Sequence, residues 1–330
     1  MRYFVTGAAG FIGGHLVEAL LADGHQVTGL DDLSTGRRSN LAAVIDHPSF
    51  RFTEGNILDA GLVSELTAGA DVVFHLAAAV GAFVIRDSTL DSLRTNIHGT
   101  ENVVQAALDR DAVLVAASTS EIYGKNTKIG LREDDDRILG SPLKSRWSYA
   151  EAKAIDESLI EATAREKGLR AVIVRLFNTV GPRQTGHYGM VIPRFTRQAL
   201  SGEPLTVYGT GKQIRCFCHV HDVIPALTKL AQTPAAYGLA VNLGSTEQVD
   251  IETLAQKVIA ATGSPSRITR SSYLDAYGSG YEDMQRRVPD CTFARSLTGF
   301  RPVRTLDTII GDVIRDQAPQ RPVAVVSASS

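Results

Sequence analysis

The sequence predicts an α/β fold in which a doubly wound parallel sheet is joined to a smaller mixed α/β C-terminal domain. Three observations predict it. Short apolar runs alternate with amphipathic stretches over the first half of the chain, and a glycine-rich turn joins the first run to the first amphipathic stretch. After residue 180 the pattern loosens into loops marked by Gly and Pro. Strand–helix alternation of this kind produces a parallel sheet with helices on both faces.

The elements follow from these runs in chain order. We expect strands at residues 2–6, 26–30, 71–76, 112–118 and 169–176, and helices at 13–23, 95–109, 150–165, 252–262 and 306–316. Runs without alternation, such as Val72-Val73-Phe74, are typical of strands that are buried on both faces. The tail at 318–330 is rich in Pro, Ser and Ala without periodicity, so we expect it to be disordered.

The glycine-rich turn reads G-x-x-G-x-x-G between a predicted strand and a predicted helix. Gly7 would allow the tight turn, Gly10 the close approach of a pyrophosphate, and Gly13 the packing of helix on strand. An empty structural turn also uses glycine. Asp31, at the end of the second strand, favours a dinucleotide because its carboxylate can bind the ribose hydroxyls and repel a 2′-phosphate.

The cofactor expected from this spacing is NAD, although Arg37 and Arg38 follow Asp31 closely and could meet the extra phosphate of NADP. We therefore predict an NAD-binding Rossmann domain over residues 1–180, which also receives about 212–245. The substrate-binding domain would comprise 181–211 and 246–317.

Tyr149 and Lys153 lie four residues apart, and on a helix this spacing places them on one face. A lysine ammonium there would lower the pKa of the phenol from about 10 towards neutrality, which makes a general base for a sugar hydroxyl. Thr119 and Glu121 follow a buried strand at the sheet edge where ligands bind. Together these four residues predict a catalytic site.

Composition excludes several classes of function. The formal charge of −2 offers no basic stripe for nucleic acid, and no apolar run approaches the roughly 18 residues that a membrane span needs. Three cysteines make no disulfide framework, and a reducing cytoplasm is the expected location. No metal site is expected at Cys216-Phe217-Cys218-His219-Val220-His221, because a strand would turn its cysteines and histidines to opposite faces.

With His75-Leu76-Ala77-Ala78, Asn96 and the run 175–183, these motifs resemble the extended short-chain dehydrogenase/reductase family over residues 1–316. Its members are nucleotide-sugar epimerases, dehydratases and decarboxylases. The resemblance implies that NAD contacts lie at Gly7, Gly10, Phe11, Ile12, Gly13, Asp31, Asp32, Asn56, Ile57, Leu76, Ala77, Ala78, Asn96, Tyr149 and Lys153. Many relatives carry aspartate where this chain has Asn56.

The resemblance also implies a substrate site and a homodimer. The nucleoside diphosphate sugar, linked to UDP or dTDP, would be held by Thr119, Asn178, Arg183, Val191, Arg215 and Arg287. Arginine suits a diphosphate because its guanidinium binds in a bidentate geometry. In relatives the helices at 95–109 and 150–165 pair across a dimer interface.

The reaction is less specific than the family. Thr119-Ser120-Glu121 resembles UDP-glucuronate decarboxylases, and the runs 146–149, 277–283 and 286–290 resemble a bacterial decarboxylase domain whose catalytic arginine falls on Arg287. This implies conversion of UDP-glucuronate through a 4-keto intermediate to UDP-xylose or UDP-4-keto-xylose.

Two alternatives stay open. The run 181–193 resembles 4-epimerases that act on UDP-glucuronate or UDP-glucose, and uronate epimerases use the position of Arg183 to grip the sugar carboxylate. A non-catalytic NAD-binding protein is disfavoured because Thr119, Tyr149 and Lys153 are all present.

Overall fold

A computed structural model describes residues 1–186, 189–278 and 282–318. The predicted disordered tail, except for Ala318, lies outside these residues. His187, Tyr188 and residues 279–281 also lie outside them. The strands are β1 Arg2–Thr6, β2 Gln26–Asp31, β3 Phe50–Glu54, β4 Val72–His75, β5 Val113–Thr119, β6 Ala171–Leu176, β7 Thr179–Val180, β8 Leu205–Tyr208, β9 Ile214–Cys216, β10 Cys218–His219, β11 Leu239–Leu243, β12 Gln248–Asp250, β13 Ile268–Ser271 and β14 Arg286–Arg287.

The helices complete the inventory of described elements. They are α1 Phe11–Ala22, α2 Ala60–Thr67, α3 Ala82–Asp87, α4 Thr89–Asp109, α5 Ser148–Lys167, α6 Val191–Leu200, α7 Val220–Ala231, α8 Ile251–Thr262, α9 Tyr273–Tyr277, α10 Thr292–Thr298 and α11 Leu306–Gln317. No helix in the described part of the chain is both long enough and apolar enough to cross a membrane.

The central sheet has seven strands, all parallel, in the order β11-β6-β5-β4-β1-β2-β3. The chain builds outward from β1 to β3 on one side and then from β4 to β6 on the other. The switch point therefore lies between β1 and β4, where loops leave the sheet in opposite directions. In open α/β sheets this is the place where ligands bind.

Two apolar clusters cover the faces of this sheet, because successive side chains of a strand point to opposite faces. Tyr3 and Val5 belong to one cluster, together with helices α1 and α7. Phe4 and Leu114 belong to the other, together with α2 and α4. The predicted doubly wound sheet is confirmed.

Beyond the sheet, short strands and helices build the wall opposite the switch point. β12, β9 and β14 form a three-stranded sheet, β8 pairs with β13, and β7 pairs with β10. A third apolar cluster joins α6, α8 and α11. The division into two domains stays a prediction.

The predicted strands and helices are present, with ends that differ by a few residues. Among the elements that were not predicted are the two edge strands of the central sheet, β3 and β11, and the helices α2, α6 and α7. β3 is an edge strand in which the apolar Phe50 and Phe52 alternate with polar residues, so it lacks the continuous apolar run of its neighbours. The single strand expected around Cys216 and Cys218 is divided between β9 and β10, which belong to different sheets. In the described part of the chain, no group of side chains could hold a metal ion.

Candidate active site

One cavity of about 720 Å³ runs along the carboxyl ends of the central strands. Its volume is within the range of small-molecule sites. Most of the predicted cofactor and substrate residues line it: Gly7, Gly10, Phe11, Ile12, Gly13, Asp31, Asp32, Ile57, Leu76, Ala77, Ala78, Thr119, Glu121, Tyr149, Asn178, Arg183, Val191, Arg215 and Arg287. The fold thus brings together residues that are far apart in sequence.

The glycine-rich turn has no room for side chains. Gly7 has a φ of +71°, and a Cβ there would stand 2.7 Å from the backbone nitrogen of Ala77. A Cβ on Gly13 would meet the carbonyl oxygen of Gly7 at 2.0 Å. Helix α1 begins directly after Gly10 with no side-chain cap and no acidic residue in its first turn. Its amide groups are therefore available to an anion such as a pyrophosphate.

Asp31 is buried at the end of β2, beside this turn. One of its oxygens accepts from the amide of Ala9 at 2.9 Å and the other from the amide of Leu33 at 2.8 Å. Burial raises the pKa of the carboxyl, and these two hydrogen bonds oppose the rise. The fixed carboxylate fits the two hydroxyls of an adenosine ribose.

The two arginines that could have met a 2′-phosphate each have a partner within the protein. Arg38 pairs with Glu54 and lies over the ring of Phe52, with 5.4 Å from the guanidinium carbon to the ring centre. Arg37 donates to the hydroxyl of Thr185 at 3.1 Å. The glycine turn and Asp31 therefore fit NAD, the cofactor that the sequence predicted.

Two predicted cofactor contacts lie off the cavity wall. Asn56 donates to Asp32 at 2.9 Å and accepts from the amide of Leu58. Asn96 is buried, and its amide bonds both the backbone N–H of Ala79, at 2.8 Å, and the Ala79 carbonyl, at 3.2 Å. Asn96 therefore holds the loop that lines the cavity, and the prediction that it faces the cofactor is not supported.

Lys153 is also placed away from the wall, in contrast to the sequence prediction. Its ammonium lies 3.2 Å from Oδ2 of Asp156, with both side chains almost fully buried. The two residues border a separate void of about 10 Å³ behind the sheet edge.

Tyr149 lines the cavity and is buried. Burial raises the pKa of its phenol, and the carboxylates of Glu121 and Asp156 raise it further. The prediction that Lys153 lowers the pKa of this phenol is therefore not supported by the arrangement, in which Lys153 pairs with Asp156.

Glu121 lies between two cations at the end of β5. Its carboxylate is 2.7 Å from Arg146 and 3.5 Å from Arg287. Burial alone would raise the pKa of Glu121, but the two arginines outweigh it and the pKa is lowered. Thr119 begins the short turn that carries Glu121, and its hydroxyl oxygen accepts from the Glu121 amide at 3.2 Å. The hydroxyl proton of Thr119 is left to donate into the cavity.

Arg215 and Arg287 are direct neighbours on the paired strands β9 and β14. Arg215 pairs with Asp283 at 2.8 Å, and Arg287 donates to the side-chain oxygen of Asn178 at 2.6 Å. Burial and the charge of Arg215 lower the pKa of Arg287 to about 10. The predicted substrate cations therefore do converge, with counter-charges already beside them.

Arg183 lines the cavity, but its guanidinium is already bound by other groups of the protein. It pairs with Glu18 at 2.6 Å and donates to the backbone carbonyl of Asn40 at 2.8 Å and towards His15. The expectation that Arg183 grips a substrate carboxylate is not supported by this placement.

Sequence reasoning missed Arg194, on α6. It is 7% exposed and lines the cavity, with its guanidinium carbon 4.4 Å from the ring centre of Tyr208 and 5.1 Å from that of Phe195. Within the described residues its guanidinium makes no hydrogen bond or ion pair, and burial lowers its pKa. The only signal in the sequence is an arginine within an apolar stretch, which is too common to single out.

Known proteins are similar to this chain over most of its length. The model of the NAD dependent epimerase/dehydratase family matches residues 3–244. The chain is 40% identical over 302 residues to a UDP-N-acetyl-alpha-D-glucosaminuronate decarboxylase of Bacillus cytotoxicus, covering 91% of this chain and 92% of that protein. It is 34% identical over 306 residues to UDP-glucuronic acid decarboxylase 1 of Xenopus tropicalis, covering 93% and 69%.

A solved structure is similar over nearly the whole length. The UDP-glucuronic acid 4-epimerase of Bacillus cereus, in complex with UDP-glucuronic acid and NAD, superposes with a TM-score of 0.86. It is 27% identical to this chain, and the match covers 96% of this chain and 98% of the other. From the family match, the relatives and the glycine turn with its Asp31, we conclude that this chain belongs to the NAD dependent epimerase/dehydratase family.

Proposed function

We propose that this chain is an NAD-dependent decarboxylase of a UDP-linked hexuronate. UDP-glucuronate would give UDP-xylose, UDP-4-keto-xylose or both. The observation that carries the proposal is Glu121 held between Arg146 and Arg287 in the cavity that Thr119 and Tyr149 also line. The two decarboxylases at 34–40% identity support it.

The cofactor would lie across the glycine turn, with its adenosine ribose on Asp31. Bound NAD would supply a hydride acceptor for C4 of the sugar and a positive charge that favours ionisation of a neighbouring phenol.

The chain's own residues would move the proton at O4. Tyr149 would take the proton from the C4 hydroxyl and later return it. Thr119 would donate its hydroxyl proton to the same oxygen. Both groups would stabilise the negative charge that develops on O4 when the carboxylate leaves.

The decarboxylation step needs no further redox partner. In the 4-keto acid the C5–C6 bond breaks, C6 leaves as CO2, and the electron pair passes into the enolate of C4 and C5. That enolate then takes a proton at C5, so one proton is consumed per turnover. We propose that Arg287 assists this protonation, because its lowered pKa makes it a better proton donor than an exposed arginine, and that Glu121 positions it.

The diphosphate would be bound by Arg194, Arg215 and Arg287. Arg194 carries the unmatched charge, since Arg215 pairs with Asp283 and Arg287 faces Glu121. A buried guanidinium without a counter-ion is costly unless a ligand provides one. UDP and dTDP carry the same diphosphate, and the relatives favour UDP.

The alternative is a 4-epimerase that acts on UDP-glucuronate or UDP-glucose, and the placement of Arg183 weighs against the uronate case. A uronate epimerase must retain the carboxylate, and the cation expected to hold it is already paired with Glu18. A second candidate substrate carries an N-acetyl group at C2, which the relative at 40% identity favours.

The experiment is product analysis by mass spectrometry after incubation with NAD and, separately, UDP-glucuronate, its N-acetyl analogue UDP-N-acetylglucosaminuronate and UDP-glucose. The proposal predicts CO2 and a nucleotide pentose from a uronate and no change to UDP-glucose. An uronate epimer of unchanged mass, resolved by chromatography, would refute decarboxylation.

We also propose that the chain is a cytoplasmic homodimer. Helices α4 and α5 pack side by side and expose Leu90 and Ile155, and the three cysteines are buried and unbridged. Light scattering after size-exclusion chromatography tests the dimer, and substitution of both exposed residues by Glu should give monomers.

A further inference from the structure

The buried carboxylate of Asp156 is not used by the proposed mechanism, yet it touches the lysine of the Tyr149–Lys153 pair. Asp156 lies three residues after Lys153 on α5, which places the two on one helix face. Their charged atoms are 3.2 Å apart, and their side chains are 3% and 4% exposed. They border the small separate void behind the sheet edge and do not line the cavity.

The charges around this pair are otherwise matched or absent. Glu157 is bound by Arg175, at 2.7 Å, and by the hydroxyl of Ser118. His75 lies between the hydroxyls of Thr6, at 2.8 Å, and Thr100, at 3.0 Å. Burial and the charge of Lys153 lower the pKa of His75 to about 3, so it is neutral in the working range.

Glu121 also raises the pKa of Tyr149, but its carboxylate pairs with Arg146 and Arg287 and not with Lys153. Asp156 is therefore the carboxylate that directly competes with Tyr149 for the ammonium of Lys153. An ammonium paired with a carboxylate presents almost no net charge to a third group.

We propose that Asp156 is a positioning residue: its carboxylate holds the Lys153 ammonium on the inner side of α5 and so governs how much positive charge reaches Tyr149. This inference rests on the proposed role of Tyr149 as the base. The family's Tyr–Lys pair thus becomes, in this chain, a Tyr–Lys–Asp set in which the third member restrains the second.

The test measures the ionisation of Tyr149 in the NAD-bound protein by ultraviolet difference spectroscopy, which detects the phenolate. Each titration is corrected by the same protein carrying Tyr149→Phe. Asp156→Asn, which keeps the shape and removes the charge, should move the ionisation of Tyr149 to lower pH by about one unit or more. The acid limb of the kcat/KM profile should move by the same amount.

A double-mutant cycle separates positioning from packing. If Asp156 acts through Lys153, Asp156→Asn should shift the titration clearly more in the native background than with Lys153→Met. Asp222→Asn, which removes a buried carboxylate that pairs with Arg304, is the control and should leave the Tyr149 titration unchanged. Asp156→Ser replaces Asp156→Asn if the latter does not fold.

An unchanged Tyr149 titration in Asp156→Asn, or a shift to higher pH, would overturn the inference. So would an equal shift in the Lys153→Met background. The titration needs no turnover, so it can succeed even if the decarboxylase proposal fails. If the native protein decarboxylates a uronate but Asp156→Asn causes no titration shift, the proposed function stands and only this inference is overturned.

Discussion

Arg194→Met tests whether the buried guanidinium of Arg194, which lines the cavity, binds the diphosphate of the substrate. The change removes a buried charge but keeps an unbranched side chain against Tyr208 and Phe195. Charged hydrogen bonds contribute about 1.5–3 kcal/mol each. At about 1.4 kcal/mol per tenfold, losing one from the diphosphate should weaken UDP binding by about 10- to 150-fold.

The same substitution should stabilise the protein. An unpaired buried guanidinium costs several kcal/mol, and its stacking on Tyr208 recovers only about 2 kcal/mol. We therefore expect the free energy of unfolding to rise by about 1–2 kcal/mol, seen as a higher unfolding temperature without ligand. An arginine that served the fold would give the opposite sign.

Calorimetric titration of UDP and of uridine into the NAD-bound protein separates charge from stacking. Arg194→Met should weaken UDP binding and leave uridine binding nearly unchanged. Arg197→Met, three residues further along α6 and exposed, is the matched control and should change neither. Unchanged UDP affinity, or an equal loss for uridine, would refute the assignment of Arg194 to the diphosphate.

Tyr149→Phe should reduce turnover by about 10²–10⁴-fold while NAD binding is retained. Because the pKa of Tyr149 is raised, kcat/KM of the native protein should rise with pH into the alkaline range. Retained turnover in the variant, or a flat pH profile in the native protein, would contradict this role. Asp31→Asn should weaken NADH binding by about 10- to 150-fold and narrow its preference over NADPH, measured by fluorescence titration; an unchanged preference would remove Asp31 from the ribose site. The contacts of Glu282 with Lys125, Lys144 and Trp147 lower its pKa to about 2. The stabilisation that these contacts provide is therefore complete above pH about 4.5 and is lost as the pH falls towards 2. The difference in unfolding free energy between the native protein and Glu282→Gln should shrink over that range, and a constant difference would show that the ion pairs do not stabilise the fold.

The sequence predicts most of the fold because the central strands carry continuous apolar runs and the turn after β1 needs glycine. The edge strand β3 was not predicted because its pattern, in which Phe50 and Phe52 alternate with polar residues, also occurs in many exposed segments. Short strands such as β7 and β10 were also beyond reach, since two residues carry too little pattern and their pairing depends on distant partners.

The sequence predicts the candidate site where a residue at a given position in the fold has a single common structural or binding role. Asp31 after β2 and the glycines before α1 are of this kind. Lys153 and Arg183 were not, because each has a long side chain that can reach several partners. Which partner it takes depends on Asp156 in one case and on Glu18, 165 positions away in sequence, in the other. The spacing of Asp156 from Lys153 was visible, but helix spacing alone does not show that both side chains are buried.

Turnover in D2O of a uronate labelled with deuterium at C4 follows the hydride of C4 and the proton of C5 in one reaction. We expect CO2 to be released and the pentose to gain one solvent deuterium at C5. The C4 label should stay in the pentose, or appear in NADH wherever the keto sugar is released. A six-carbon product, or loss of the C4 label to solvent, would contradict this expectation.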